Sequence, residues 1–314
     1  LSEKRAMRTT IGGQALIEGI IMLGPYKSAT VVRRSDGELE IKEEKVGTMQ
    51  KNAFLRLPFV RGVANLYTSL KRGIAALTFS AQFFEDESPA QEPGRFEKWL
   101  EKRFGSEKVE RFAMGLALCF GIIIPILLFI LLPTILAGAW PAFEAQSSLL
   151  KNLLEGALRI AIFVAFLYFV SKTKDIKRTF MYHGAEHKSI HCYESGQELT
   201  VENAQRFSRR HPRCGTSFLF VVMVISILLF SFVPWMNPFL RMLFRLLLLP
   251  VVVGISYEIN RFAGRHDNLF TKILRAPGLW FQSLTTYEPE DPMVEVAIEA
   301  LSRVIPEREG ADEW

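Results

Sequence analysis

Residues 112–139, FAMGLALCFGIIIPILLFILLPTILAGA, hold no charged side chain. A hydrocarbon core of about 30 Å takes about 20 apolar residues of helix. Lipid offers no partner to an open peptide group, so a run like this crosses a membrane only as a helix. Three further apolar runs, 158–170, 217–235 and 246–257, are broken only by hydroxyl groups, with Glu155, Arg159 and Arg245 near their edges. Four transmembrane helices are therefore expected, over 112–139, 150–171, 215–235 and 240–258. Pro133 and Trp140-Pro141 are expected to close the first. Trp235, with Pro234 and Pro238, makes a short turn between the third and fourth, and tryptophan at such ends suits a membrane interface. Arg241 and Arg245 flank that turn, where they are expected to reach out to headgroups.

Lysine and arginine orient the chain. None falls in 140–148 or 234–240, while nineteen fall in 1–111, nine in 172–213 and six in 261–314. Basic loops stay cytoplasmic. An even number of spans then puts both termini, and the loop between the second and third spans, in the cytoplasm of a multi-pass membrane protein. The first 50 residues lack a long apolar core, so no signal peptide is expected. The three cysteines, Cys119, Cys192 and Cys214, are an odd number in a reducing compartment, which argues against disulfides.

The polar segments complete the organisation. Residues 1–84 form an N-terminal cytoplasmic region. SATVVRRSDGELEIKEEKV alternates apolar and polar residues around Asp36-Gly37, a hairpin signal. IGGQALIEGIIMLGP before it reads as a glycine-bearing strand. No Lys-Ser/Thr follows its glycines, so it is not a phosphate loop. Phe59, Val63, Leu66, Tyr67, Leu70, Ile74, Leu77 and Ala81 recur at helical spacing, predicting an amphipathic helix over 59–84 that lies on the inner leaflet or packs on the hairpin. Residues 85–111 read as a linker, acidic and proline-bearing at 85–95. Spans one and two (112–171), a cytoplasmic loop (172–214), spans three and four (215–258) and a cytoplasmic segment (259–314) follow, with a small amphipathic helix over 292–305. The expected fold class is a mainly α-helical polytopic membrane protein with a small α+β cytoplasmic domain containing a β-hairpin.

The loop carries YHGAEHKSIHCYE, residues 182–194, in a chain with five histidines. On a helix at about 100° per residue, His183, Glu186, His187, His191 and Glu194 share one arc. Histidines four apart can bind one ion, and His183-x-x-Glu186-His187 has the form of the inverted zincin motif. There the glutamate takes a proton from water. A divalent metal, zinc by this motif, is thus expected on His183 and His187. Glu258, His191 or His211 completes the shell, and Glu186 is the catalytic base. Cys214, Glu194 and Glu18 are further candidates. The plainer alternative is a juxtamembrane helix with hydrogen-bonded histidines. Likewise Glu258 can simply pair with Arg261, and Glu18 can be an exposed strand carboxylate. Cys192 beside His191 lacks an orienting group for a nucleophile. RFSRRHPR (206–213) reads as a topogenic or lipid-binding flank, and no aromatic pattern there predicts nucleic acid.

Five motifs, GGQALIEGIIM (12–22), YHGAEHKSIHCYE (182–194), HPRCGTSFLF (211–220), GISYEINRFAGR (254–265) and LTTYEPED (284–291), resemble the YqhQ-type family of bacterial inner-membrane proteins. The family is a domain of unknown function described as a predicted metal-dependent enzyme. The resemblance covers nearly the whole chain. It implies site roles for His183, Glu186, His187, His211, Cys214 and Glu258, and adds weight to Gly12, Gly13, Gln14 and Glu18. The chain departs from the family at Leu23, where a basic residue is usual.

The leading expectation is a metal-dependent hydrolase acting at the cytoplasmic face on a peptide or lipid-linked group. The competing one is a non-enzymatic accessory subunit of a membrane complex such as translocation, insertion or transport machinery. A transporter is a third, which the few polar groups in the spans disfavour and which four short spans permit only as an oligomer.

Overall fold

The computed structural model describes residues 8–46, 53–84, 105–139, 147–266, 268–308 and 310–312. Trp140-Pro141, the acidic stretch 85–95 and residues 96–104 lie outside them. Four strands, β1 (Gly12–Leu16), β2 (Gly19–Leu23), β3 (Lys27–Arg33) and β4 (Leu39–Lys45), precede the helices. These are α1 (Val60–Ala81), α2 (Ser106–Ile126), α3 (Leu132–Ala139), α4 (Ser148–Val170), α5 (Lys174–Glu194), α6 (Val201–Gln205), α7 (Gly215–Phe230), α8 (Pro238–Arg265), α9 (Leu269–Thr285) and α10 (Asp291–Ser302). The chain divides into two units: the described parts of 1–85, 167–226 and 250–314, and those of 86–166 and 227–249.

In the first unit the strands form an antiparallel sheet in sequence order. The expected β3–β4 hairpin turns at Gly37, whose φ of 87° a side chain would strain. The single glycine-bearing strand of the sequence reading is instead a second hairpin. Leu16 pairs with Gly19, leaving Ile17-Glu18 as the turn, with Glu18 itself at φ 47°. Alternation sorts the sheet's two faces. Ile20, Met22, Ala29 and Val31 face the main core with Tyr182, Ala185 and Ile190 of α5 and Met293, Val296 and Leu301 of α10. Leu16 and Ile21 face the other way, onto Ala76 of α1. The edge strand β4, LEIKEEK, keeps its edge charged, which discourages further pairing. Helix α1 carries its apolar stripe largely exposed, with Tyr67 at 67% and Leu70 at 56%.

Residues 115–139, 149–170 and 238–265 are helices long and apolar enough to cross a membrane. The third expected span, 215–235, is not: α7 has 16 residues, about 24 Å at 1.5 Å per residue. Its helix ends at Phe230, and Ser231–Val233 turn back onto the last carbonyls, with Pro234 following.

In the second unit, Pro133 does not close the first span. The helix passes through it, by way of a wider π-type turn at Leu127–Leu131, and runs on to Ala139. Pro133 has no N–H for the carbonyl four residues earlier, and the Arg159 Nε of α4 donates to that Phe129 carbonyl instead, at 2.8 Å. Arg241 and Arg245 do not reach outward either. They are 0% and 1% exposed and converge on Glu155, itself buried. The residues beyond Gly105, read as linker, already belong to α2 from Ser106.

Candidate functional site

Helix α5 forms as its sequence spacing predicts and runs longer than 182–194. Thr173, in extended conformation, precedes it, Asp175 sits in its first turn, and Gly196 follows its end at φ 72°, the left-handed conformation that stops helices. Its polar face is not solvated. Glu186, His187, Lys188, Ser189 and Glu194 are buried. Two close approaches hold it there. A Cβ on Gly184 would strike the Tyr287 carbonyl, and one on Gly13 would lie 2.7 Å from the Ile21 carbonyl and 3.1 Å from the Glu186 carboxyl carbon.

The ligand atoms of His183, His187 and Cys214 lie within 4.8 Å of one another, a group that can hold a metal ion. His183 Nδ1 is 2.9 Å from the Thr285 carbonyl, and His187 Nδ1 is 2.6 Å from the Arg209 carbonyl. A carbonyl only accepts, so each Nδ1 carries a proton and each Nε2 is left to meet another partner. His183 Nε2 lies 3.1 Å from Cys214 Sγ. His187 Nε2 is buried with no hydrogen-bond partner. Imidazoles oriented this way by outer acceptors are the usual arrangement of metal-ligating histidines. Glu186 adjoins them. Its Oε1 accepts from the Gly13 amide at 2.8 Å, while its Oε2 is buried and unpartnered.

The electrostatics follow. Burial opposes ionisation of the Cys214 thiol, but His183 and His187 outweigh it and hold the thiol well below its ordinary range. Burial likewise opposes charge on His183, yet Cys214 and then Glu186 raise it to about 9. Burial pushes Glu186 up, against the pull of His183 and His187. A carboxylate raised in this way is a stronger base than one in open water.

His191, Glu194 and His211 form a second group of the same compactness, one turn along α5. Its carboxylate oxygens and three of its four ring nitrogens already have partners. Glu194 accepts from the Thr9 amide at 2.9 Å and from Arg213, and its Oε2 lies 3.3 Å from His211 Nε2. His191 Nε2 is 3.0 Å from the Arg210 carbonyl. Gln282 brackets His211 on both backbone sides, at 2.7 and 2.8 Å. Burial holds His211 down at about 4 and lowers His191 too, while His211 and Arg213 keep Glu194 low despite its burial. The rings of His187 and His211, 5.7 Å apart, link the two groups.

Glu258 belongs to neither group. It accepts from Arg61 Nε at 2.6 Å and from the Phe59 amide at 3.3 Å, where α1 meets α8. Gly62 against Tyr257 and Gly254 against Phe59 leave no space for a Cβ, so the carboxylate is drawn to the Arg61 side of α8. Its expected partner Arg261 is replaced by Arg61. Glu18 is no exposed strand carboxylate. From its turn it accepts from Arg178 Nη2 at 2.6 Å and from the Tyr182 hydroxyl at 3.2 Å. The sequence reading missed the carbonyls of Thr285 and Arg209 and the amide of Gly13. These are backbone groups with no residue signature, although Gly13 itself stood in a marked motif.

The fold and the site together define a helix-rich protein with several apolar helices of membrane-spanning length and buried side-chain groups that can hold a metal ion. The chain belongs to the family described as "Protein of unknown function (DUF1385)", whose model matches residues 57–307. It is similar to the Bacillus subtilis (strain 168) protein described as "Uncharacterized protein YqhQ", 34% identical over 314 residues, covering 96% of this chain and 94% of that one. No solved structure matches the chain.

Proposed function

We propose that the chain is a multi-pass protein of the bacterial cytoplasmic membrane with both termini in the cytosol, and that it is a metal-dependent hydrolase. The metal, zinc on this donor set, is held by His183, His187 and Cys214. One observation carries the reading: two imidazoles, each pinned at Nδ1 by a backbone carbonyl, bring Nε2 to the same thiol, and one of those nitrogens is buried without a partner. A purely structural helix face has no need of an orphaned lone pair there. A zinc ion at this place supplies Lewis-acid polarisation. Glu186 Oε2, free and raised in basicity by burial, takes the proton of the attacking water, while the Gly13 amide holds Oε1 in place. The place of Cys214 directly before the apolar α7 makes a peptide or lipid-linked group at the membrane surface the substrate class.

Elemental analysis of the purified protein tests this. About one zinc per chain is expected, falling to near zero in His183→Ala and His187→Ala. Glu186→Gln should keep the metal and lose hydrolysis. Metal content unchanged by both histidine substitutions overturns the enzyme reading. The exposed apolar stripe of α1, including Tyr67 and Leu70, favours a second reading, an accessory subunit that docks on another membrane protein. Recovery of one large partner in equal amount from native membranes, undiminished by Glu186→Gln, supports it.

A further inference from the structure

The second unit buries a polar cluster that the metal centre does not use. Arg245 grips Glu155 with both Nη atoms, Nη2 at 2.7 Å from Oε2. Arg159 Nη2 donates to Oε1 at 3.0 Å and Thr134 Oγ1 to the same oxygen at 2.9 Å. Arg241 Nη2 donates to Asn152 Oδ1 at 2.5 Å, and its guanidinium lies over the Trp235 ring at 3.7 Å. Among the described residues, then, three guanidinium groups share one carboxylate. Arg159 has a structural duty at the Phe129 carbonyl, and Arg245 is the partner Glu155 requires. Arg241 exceeds both needs, yet it is the least solvent-accessible of the three.

The unspent atoms have one sign. Arg241 Nε and Nη1, Arg245 Nε and Trp235 Nε1 are buried without a hydrogen-bond partner. Arg241 Nη1 lies 3.1 Å from Glu155 Oε2 without making a hydrogen bond. All four are donors. Buried charge is retained where it is paired, and ionisable groups at membrane depth mark functional sites. Water would satisfy the donors but not the excess of positive charge.

We propose that this cluster binds an oxyanion of the phosphate class, held by Arg241, Arg245 and Trp235. Guanidinium forks match phosphate oxygens, and one such anion balances the two surplus charges. The phosphate can belong to a lipid headgroup or be free in solution. The site shares no residue with the metal centre and does not depend on it.

The test uses the full chain in detergent. One arm measures binding of radiolabelled inorganic phosphate by equilibrium dialysis at constant chloride. The other delipidates the protein, adds phosphatidylglycerol or an uncharged diacylglycerol, and counts adducts by native mass spectrometry. One saturable site per chain is expected in one arm or both. Phosphate alone assigns a soluble anion, and phosphatidylglycerol without diacylglycerol assigns a headgroup. Arg241→Gln should weaken binding at least about ten-fold, the effect of losing hydrogen bonds to a charged group. Trp235→Phe keeps the ring and removes one donor, so it should weaken binding several-fold even if Arg241→Gln fails to fold. Arg206→Gln, at an exposed position of the first unit, should change nothing. Wild-type protein that binds neither probe overturns the proposal and leaves a hydrated ion pair. So does binding that survives Trp235→Phe and Arg241→Gln at full strength.

Discussion

At Gly13 the missing side chain is what lets a carboxylate reach the backbone. The Glu186 seat exists because the β1 strand comes within hydrogen-bond distance of α5 at this residue. Gly13→Ala puts a methyl group 2.7 Å from the Ile21 carbonyl, and overpacking of this kind costs about 1–3 kcal/mol. A lower thermal midpoint, with the Glu186 seat displaced and the proposed hydrolysis reduced, is the expected result. His211 illustrates a second residue-scale effect. Its folded value of about 4 lies below the roughly 6.5 of an open chain. Between those values the unfolded chain takes up a proton that the folded one refuses, so stability falls as the pH falls through that window. Glu194, held low mainly by His211 and Arg213 against its burial, loses its stabilising charge further down, in the same direction. His187, His191, Glu194 and Arg213 are the titratable and charged groups facing His211. Chemical denaturation from pH 7.5 to 4.5 should show a falling midpoint, and His211→Asn should flatten the fall.

Among elements, α8 separates two roles that the sequence placed together. Its C-terminal end docks α1 through Glu258–Arg61 and Tyr257–Asn65, and not through the histidines. Glu258→Gln should therefore leave metal content at the wild-type level while α1 becomes more open to limited proteolysis. A matching loss of metal would restore Glu258 to the centre. The helix through Pro133 shows how a helix survives a proline: a side chain from its neighbour takes over the orphaned carbonyl. Glu155→Gln leaves three buried arginines among the described residues without a carboxylate, and breaking a buried ion pair from one side costs about 3–5 kcal/mol. The thermal midpoint in detergent should drop accordingly, far more than for substitution of the exposed pair Arg206–Glu202.

For the whole molecule, the basic-residue distribution, three helices of membrane-crossing length and the shorter apolar α7 as a fourth crossing make a topological prediction. The protein should stay in the pellet on alkaline carbonate extraction. A fluorescent-protein fusion at the C-terminus should glow, and an alkaline phosphatase fusion there should be inactive, as basic flanks retained in the cytosol require. Periodicity and apolar run length made most of the elements legible: the 112–139 helix, the β3–β4 hairpin, the α1 amphipath and the helix bearing His183 and His187. These are local properties, set by backbone hydrogen bonding and by which face each side chain takes. The sequence also singled out HxxEH, because spacing alone puts those side chains on one face of a helix. Which groups join them is a matter of approach between distant segments. Cys214 stands beside His183 while Glu258 turns to Arg61, and Arg241 and Arg245 fold inward onto Glu155 instead of reaching lipid headgroups. No local pattern carries that information, since a buried carboxylate and a surface one have the same spelling; only the tertiary structure decides which charge meets which.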